Sequence, residues 1–430
     1  MRHNRQTVNG YRSVGRACAL ALGAALAAGA LAGCDTLLEV EAPGTLEEKT
    51  LFQPANAQVI VAGVTADFEC AFTQYVAVMG TVADEFGDAQ ANAATWDIDR
   101  RTAFPNTTLY SQGQCGGFGG VYTPVSIARF SADNALKLLD GWTDEEVPGR
   151  ATLIARSALY SGYSHILLGE GFCSAAIDRG PELTPAQVFA LAEARFTRAI
   201  EAATAPGDVA IKNAALVGRA RARVNQGKLT EAAADAALVP DGFVFNANYS
   251  SLSGRSENRV FRSNNSSGTI TADPAVRGLN DPRVPVSDAG RGGSLPTVRL
   301  WTQNKYTSLS SPIPIATWRE AVLIRAEAAG GQTAVTLLNQ LRARAGVALG
   351  PLSVSTGDPA AVRAALVEER RRELFLESHR LFDTIRFNVA LSPAAGAPFP
   401  NGGGTYGSLK CLPLPDVERV NNPNIGSPTT

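Results

Sequence analysis

The chain has 430 residues, 45% of them hydrophobic, and its 39 Lys and Arg stand against 40 Asp and Glu for a formal net charge of -1 at pH 7. That length buries two ordinary cores or one large one. A balance so near neutral gives no partner chosen by bulk electrostatics, which argues against a nucleic-acid-binding protein.

Arg2, Arg5, Arg12 and Arg16 precede an uncharged run from Ala17 to Gly33 that ends in LAGC, Leu31 to Cys34. This reads as a secretory signal over 1–33, because the run is short and rich in Ala and Gly compared with the ~20 apolar residues of a membrane span. The LAGC ending looks like a bacterial lipobox, in which the Cys34 thiol carries a diacylglycerol. Each ~16-carbon acyl chain adds on the order of 10 kcal/mol of membrane affinity at about 0.8 kcal/mol per buried methylene. Asp35 follows, a residue that in some bacteria keeps lipoproteins on the inner membrane. With Cys18 removed and Cys34 acylated, Cys70, Cys115, Cys173 and Cys411 remain. An even number in an exported chain points to two disulfides, with three connectivities open and free thiols as the competing reading. A metal is not expected, since no C-x-x-C spacing occurs and the mature chain holds only His165 and His379. No cofactor is expected either.

DTLLEVEAPGTLEE reads as a tether, 34–50, leading into a helical half over 51–240. Helical spacing is clearest from Val125 to Leu238: Ser126 to Asp140, Ala151 to Gly169 and Pro185 to Ala203 place apolar or small residues three and four apart. Thr184, Pro185 and Gln187 form a helix start with a capping box. Two short helices then meet at Gly227-Lys228. These hairpins in series are similar in architecture to tetratricopeptide repeats, without a clean 34-residue period. From 241 to 317 the chain turns to Asn, Ser, Gly and Pro with short apolar pieces, the pattern of loops and short strands; so long an irregular insert is expected to be a binding surface. Helical spacing resumes at Trp318 to Ala329 and Ala334 to Ala345, within a final segment over 318–430.

EERRRELFLESHRLFDTIRF, residues 368–387, balances Arg370, Arg371, Arg372, Arg380 and Arg386 against Glu368, Glu369, Glu373, Glu377 and Asp383. Val367, Leu374, Leu381 and Ile385 share one face of a helix, with Phe375 and Phe382 beside them. The spacing predicts internal pairs Glu368–Arg372, His379–Asp383, Glu377–Arg380 and Asp383–Arg386. The expectation is an interlocking structural helix, not a nucleic-acid patch or a catalytic one.

Taken in order, WREAVLIRAEAAGG, LLNQLRARAGV, EERRRELFLESHRLFDTIRF and CLPLPDVERVNNPNI resemble the C-terminal half of the SusD/RagB lipoproteins, and ENRVF at 257–261, DPR at 281–283 and KYT at 305–307 fit upstream. Ser378 stands where that family commonly has Gly, and Trp318-Arg319-Glu320-Ala321 replaces its usual Arg-x-Ala-Glu. The resemblance implies a mainly α fold: a right-handed superhelical scaffold of tetratricopeptide-like helix pairs with an irregular, short-strand ligand-binding face. It also implies a lipid-anchored outer-membrane protein that binds a nutrient, usually a glycan, and works as a lid on a SusC-type TonB-dependent transporter.

No G-x-S-x-G elbow, P-loop or H-E-x-x-H is present, and CGGFGG at 115–120 reads as a glycine-rich turn. The expectation is therefore a protein that is not an enzyme. A glycosidase needs only two placed acids, and Asp84, Glu85, Asp88, Asp97 and Asp99 are candidates. The competing readings are an envelope scaffold without a nutrient and, behind it, a glycoside hydrolase. For the ligand site, Trp318 and Trp142 read as structural. Trp96 in NAATWDIDR and Trp301 in VRLWTQNKYTS are the candidate ring-stacking residues, each flanked by polar groups suited to sugar hydroxyls.

Overall fold

The computed structural model describes residues 48–117, 119–344, 346–420 and 422–426. The signal segment and Cys34 lie outside the described residues. The chain divides into units 1–51 and 52–430. In the first, the described element is a short helix, Glu48–Leu51; all that follows concerns the second.

The second unit is mainly α-helical. It opens on α1 (Ala57–Val82), in which every residue from Cys70 to Val82 is buried. A helix covered on all sides carries no polar face, so its sequence lacks the amphipathic period. The buried half of α1 therefore gives no clear helical spacing before residue 125. After β1 (Phe86–Asp88) come α2 (Ala93–Asp99), α3 (Thr108–Gln112), α4 (Tyr122–Gly141) and α5 (Arg150–Gly171). The strands β2 (Ala175–Ala176) and β3 (Glu182–Leu183) pair with each other and lead to α6 (Pro185–Ala202). The start of α6 is the expected capping box, with the Thr184 hydroxyl accepting from the Gln187 N–H and the Gln187 side chain accepting from the Thr184 N–H. Next are α7 (Val209–Asn225) and α8 (Leu229–Ala236), separated at Gly227, whose φ of 77° is the left-handed conformation glycine favours.

These helices pack in chain order: α4 on α1, α5 on α4, α6 on α5, α7 on α6 and α8 on α7. Their closeness depends on glycine. Phe196 of α6 lies against Gly162 of α5 and Gly218 of α7, and a Cβ on Gly162 would sit 2.7 Å from the Phe196 ring. Ala there would force the ring out of a fully buried site.

The insert is irregular, as its composition predicts, and its strands serve as straps. β4 (Val244–Ala247) pairs antiparallel with β8 (Ile313–Thr317). A helical turn α9 (Arg259–Phe261) runs into a π-helical turn at Arg262–Ser266. β5 (Ile270–Ala272) pairs with β1, Asp88 opposite Ile270, while β6 (Val286–Gly292) pairs with β7 (Arg299–Gln303). Asn264, fully buried on the π turn, donates to the carbonyls of Ile270 (2.9 Å) and Trp301 (3.0 Å) and accepts from the Gln303 N–H (2.7 Å). One amide thus satisfies three backbone groups of two strands that cannot pair with each other there.

The last third holds α10 (Trp318–Ala329), α11 (Gly331–Ala343), α12 (Pro359–Glu373), α13 (Arg380–Arg386) and α14 (Asp416–Val420). α8 packs on α10, α10 on α11 and α11 on α12. The tail returns to α5: the Cys173 N–H donates to the Leu412 carbonyl and the Leu412 N–H to that of Gly171, both at 2.9 Å, and a Cys173–Cys411 disulfide with Cα atoms 5.1 Å apart locks the strap.

Two expectations for 368–387 are corrected. The segment is not one helix, because α12 ends at Glu373 and α13 begins at Arg380, with Leu376 and Ser378 in left-handed conformation at φ 54° and 68°. Tertiary bonds hold this costly break: the Leu376 N–H donates to Glu85 (2.9 Å), Tyr306 to the Leu376 carbonyl (3.0 Å) and Lys305 to the Phe375 carbonyl (2.5 Å). The core face shifts with it, and Ile385 is 39% exposed. Of the internal pairs, Glu368–Arg372 and Asp383–Arg386 form. Arg380 instead binds Asp84, Glu377 binds Lys305 and Arg319, and His379 lies 3.1 Å from Glu320. The charges interlock as predicted, but mostly between elements.

Candidate functional site

A cleft opens where α1, α2, the glycine-rich loop and the π turn meet. Gln74, Ala77, Val78 and Thr81 of α1 form one wall, spaced so that they share a helix face. Asp88 and Gln90 follow β1, Thr95 and Ile98 come from α2, and Arg259 and Ser263 come from the opposite side with Ile270. Gly117 and Gly119 close it. A Cys70–Cys115 disulfide, Cα atoms 5.8 Å apart, ties that loop to α1 one helical turn before Gln74. The loop also needs its glycines: Gly113 and Gly120 lie backbone against backbone, and a Cβ on either would overlap the other.

The polar groups of the cleft are fixed before any ligand arrives. Asp88 Oδ1 accepts from the Gln90 N–H (2.9 Å), and its Oδ2 accepts from Thr95 Oγ1 (2.5 Å) and Gln90 Nε2 (3.1 Å). Burial pushes the Asp88 carboxyl up, against the pull of the Thr95 and Gln90 bonds. Gln74 is 2% exposed; its Nε2 donates to the Gly120 carbonyl, while its Oε1 has no partner. A buried amide oxygen without a partner at a cleft wall is a vacant acceptor. Arg259 donates to the Gly116 carbonyl, and no ion-pair partner stands beside it among the described residues. Amides, a hydroxyl, a carboxylate and a guanidinium around an Ala77, Val78, Ile98 and Ile270 floor suit a ligand with many hydroxyls and an apolar ring face.

The candidate acids are occupied in different ways. Asp84 takes Arg380 at 2.8 and 3.0 Å, Glu85 takes the Leu376 N–H, Asp97 takes Arg100 and Thr102, and Asp99 takes the Asp88 N–H at 2.7 Å. Of these five, Asp88 alone lines the cleft. The two tryptophans do not meet at it. Trp96 is half-buried on α2, its indole N–H donating to the Gln90 carbonyl (3.0 Å) and its ring covered by Phe399 and Gly402. Trp301 is half-buried on β7 under the Arg277 guanidinium, 5.2 Å from the ring centre. Trp142 is half-buried and Trp318 buried. Gln74 and Arg259 were not singled out from the sequence, since one stands in the unread helix and the other in the ENRVF motif. Among the described residues no group of three or more His, Cys, Asp or Glu is placed to hold a metal. A larger groove of about 1340 Å³ runs past Lys305, Arg319 and Arg344, but its cations are each bound to Glu373 or Glu377.

The scaffold is thus a mainly α-helical one that carries a loop-built cleft. Residues 303–410 match the SusD family. The fold of the described chain is that of solved SusD superfamily proteins. One from Bacteroides vulgatus is 16% identical, with 88% of this chain and 100% of that chain covered at a TM-score of 0.66. Another from Bacteroides fragilis is 14% identical, with 87% and 99% covered at 0.66. A laminarin-binding SusD-like protein is 16% identical, with 86% and 98% covered at 0.61. At these identities the likeness is one of fold. No curated protein gives a significant sequence match.

Proposed function

We propose that this protein captures an oligosaccharide in the cleft between α1 and α2 and passes it, unaltered, to a SusC-type TonB-dependent transporter. The observation that carries the reading is the wall of fixed polar groups with the open Gln74 Oε1 above an apolar floor. The SusD-family match over 303–410 and the laminarin-binding structural neighbour support a glycan as the ligand. The non-enzymatic part is supported by Asp88 standing in the cleft without a facing second carboxylate from the candidate set. Anchoring by a lipid on Cys34 at the outer-membrane surface completes the proposal. No described helix is long and apolar enough to cross a membrane. Trp96 and Trp301, which do not line the cleft, are proposed as secondary contacts outside it.

The test is calorimetric titration of the mature protein with neutral oligosaccharides, laminarin fragments among them. Gln74→Leu removes the acceptor at nearly constant volume and is expected to weaken binding about tenfold, or ~1.4 kcal/mol, while loss of the Nε2 bond to the Gly120 carbonyl lowers the melting temperature. Trp96→Ala and Trp301→Ala are each expected to weaken it several-fold. Equal affinity in wild type and Gln74→Leu would remove the cleft from the reading.

A further inference from the structure

Beyond the cleft, where the chain leaves α2, Arg101 occupies a position usually given to glycine. The Thr102 N–H bonds back to the Asp97 carbonyl (2.9 Å) and the Arg101 N–H to that of Ile98 (3.1 Å), the closing pattern of a helix whose next residue is left-handed. Arg101 holds that conformation at φ 58°. A side chain kept there at a backbone cost is kept for what it reaches. Its guanidinium is drawn inside, 3% exposed, 4.9 Å from the Tyr406 ring centre and donating to the Ser392 and Pro393 carbonyls, while its Nε has no partner.

Arg101 lines a cavity of about 640 Å³ together with Lys410, Asn388 and Ser408, over an apolar side of Leu391 and Ala394. Lys410 donates to the Val389 carbonyl at 2.9 Å and the Thr384 carbonyl at 3.4 Å. Neither cation has a carboxylate within ion-pair distance among the described residues, in a protein whose other buried cations are mostly paired with acids. No acid lines the cavity. Asp99, Asp84 and Asp273 act on Arg101 from deeper in the protein. Asp84 is already bound by Arg380, and burial pushes Asp99 to about 8 and Asp273 to about 7, so their negative charge is reduced at neutral pH.

We propose that this cavity is a carboxylate site that takes the acid group of a uronate sugar between Arg101 and Lys410, with Asn388 and Ser408 placed for ring hydroxyls. The choice of a sugar acid rests on the oligosaccharide reading above; the carboxylate assignment does not. Small organic carboxylates are the other source of the same chemistry.

Titration with galacturonate, galactose and acetate separates these. Galacturonate differs from galactose in its C6 acid and is expected to bind at least tenfold more tightly, with affinity falling as salt rises. Lys410→Gln should abolish that advantage and Lys410→Arg should keep it. Arg101→Gly, which relieves the left-handed position, should abolish it too. Acetate weaker than galacturonate assigns the cavity to sugar acids; acetate equal to it assigns free carboxylates and withdraws the sugar. Titration with neutral oligosaccharides reads the cleft and the galacturonate–galactose difference reads this cavity, so failure of the cleft reading and failure of this one are separable. No preference for galacturonate over galactose, or a preference that survives Lys410→Gln, would overturn the proposal.

Discussion

Replacing Glu373 with Leu is expected to destabilise the protein by about 3 kcal/mol, because a fully buried carboxylate that three arginines share is removed and Arg344 is left without its acid. The Glu373 side chain is fully buried and accepts from Arg319 (3.1 Å), Arg344 (2.8 Å) and Arg283 (3.3 Å). Arg283 would keep Asp281 and Glu369, and Arg319 would keep Glu377. Arg344 would lose its carboxylate partner. Glu373→Gln retains an acceptor oxygen and should cost less. Glu368→Ala is the control: its side chain is 42% exposed in the pair with Arg372, and such a pair is worth about 0–1 kcal/mol. Urea unfolding followed by circular dichroism ranks the variants. Glu373→Leu within 1 kcal/mol of wild type, on the ~3–5 kcal/mol scale of a broken buried pair, would mean that the network does not hold the fold.

The second large effect is on pH dependence, and its sign is unusual. Burial pushes Glu85 to about 7, Asp99 to about 8 and Asp273 to about 7. Between pH ~4 and ~8 the folded state therefore holds protons that the unfolded chain has released. These groups contribute stability that is fully present below their unfolded values and is lost as pH rises through their folded ones. Asp281 and Glu377 act oppositely. Burial opposes their ionisation, but Arg283 with Arg372, and Arg319 with Lys305, bring each to about 2, and their contribution is lost as pH falls from ~4 toward that value. Stability should peak in mild acid and decline by several kcal/mol toward pH 8. Asp99→Asn should flatten the alkaline limb, since Asn neither charges nor needs a proton. A wild-type melting temperature that rises steadily from pH 5 to 8 would contradict this.

Local capping and spacing made several helices legible in the sequence, the largely buried α5 among them. Thr184, Pro185 and Gln187 marked the start of α6 because capping is local chemistry, and Gly227 marked the break between α7 and α8 for the same reason. α1 gave no clear period over Cys70 to Val82 because every residue there is inside. The break at 374–379 was hidden because Leu376 is not a turn residue; its backbone is held by Glu85 and Tyr306, far away in sequence. The same separation conceals the charge partners, as Arg380 and Asp84 lie 296 residues apart. The cleft draws on segments near residues 74–81, 88–98, 117–119 and 259–270, none of which carries a motif for the ligand. Asp88, one of the candidate acids, and the glycine-rich turn were visible, and their place beside Gln74 was not.

The central claim is that the α1–α2 cleft is the ligand site. The most direct measurement is a crystal structure of the mature protein with the tightest-binding neutral oligosaccharide. The account predicts a sugar ring over Ile98 and Ile270, with hydroxyls on Gln74 Oε1, Asp88 and Arg259. A ligand seated instead in the groove beside Lys305 and Arg344, with the cleft unoccupied, would contradict it.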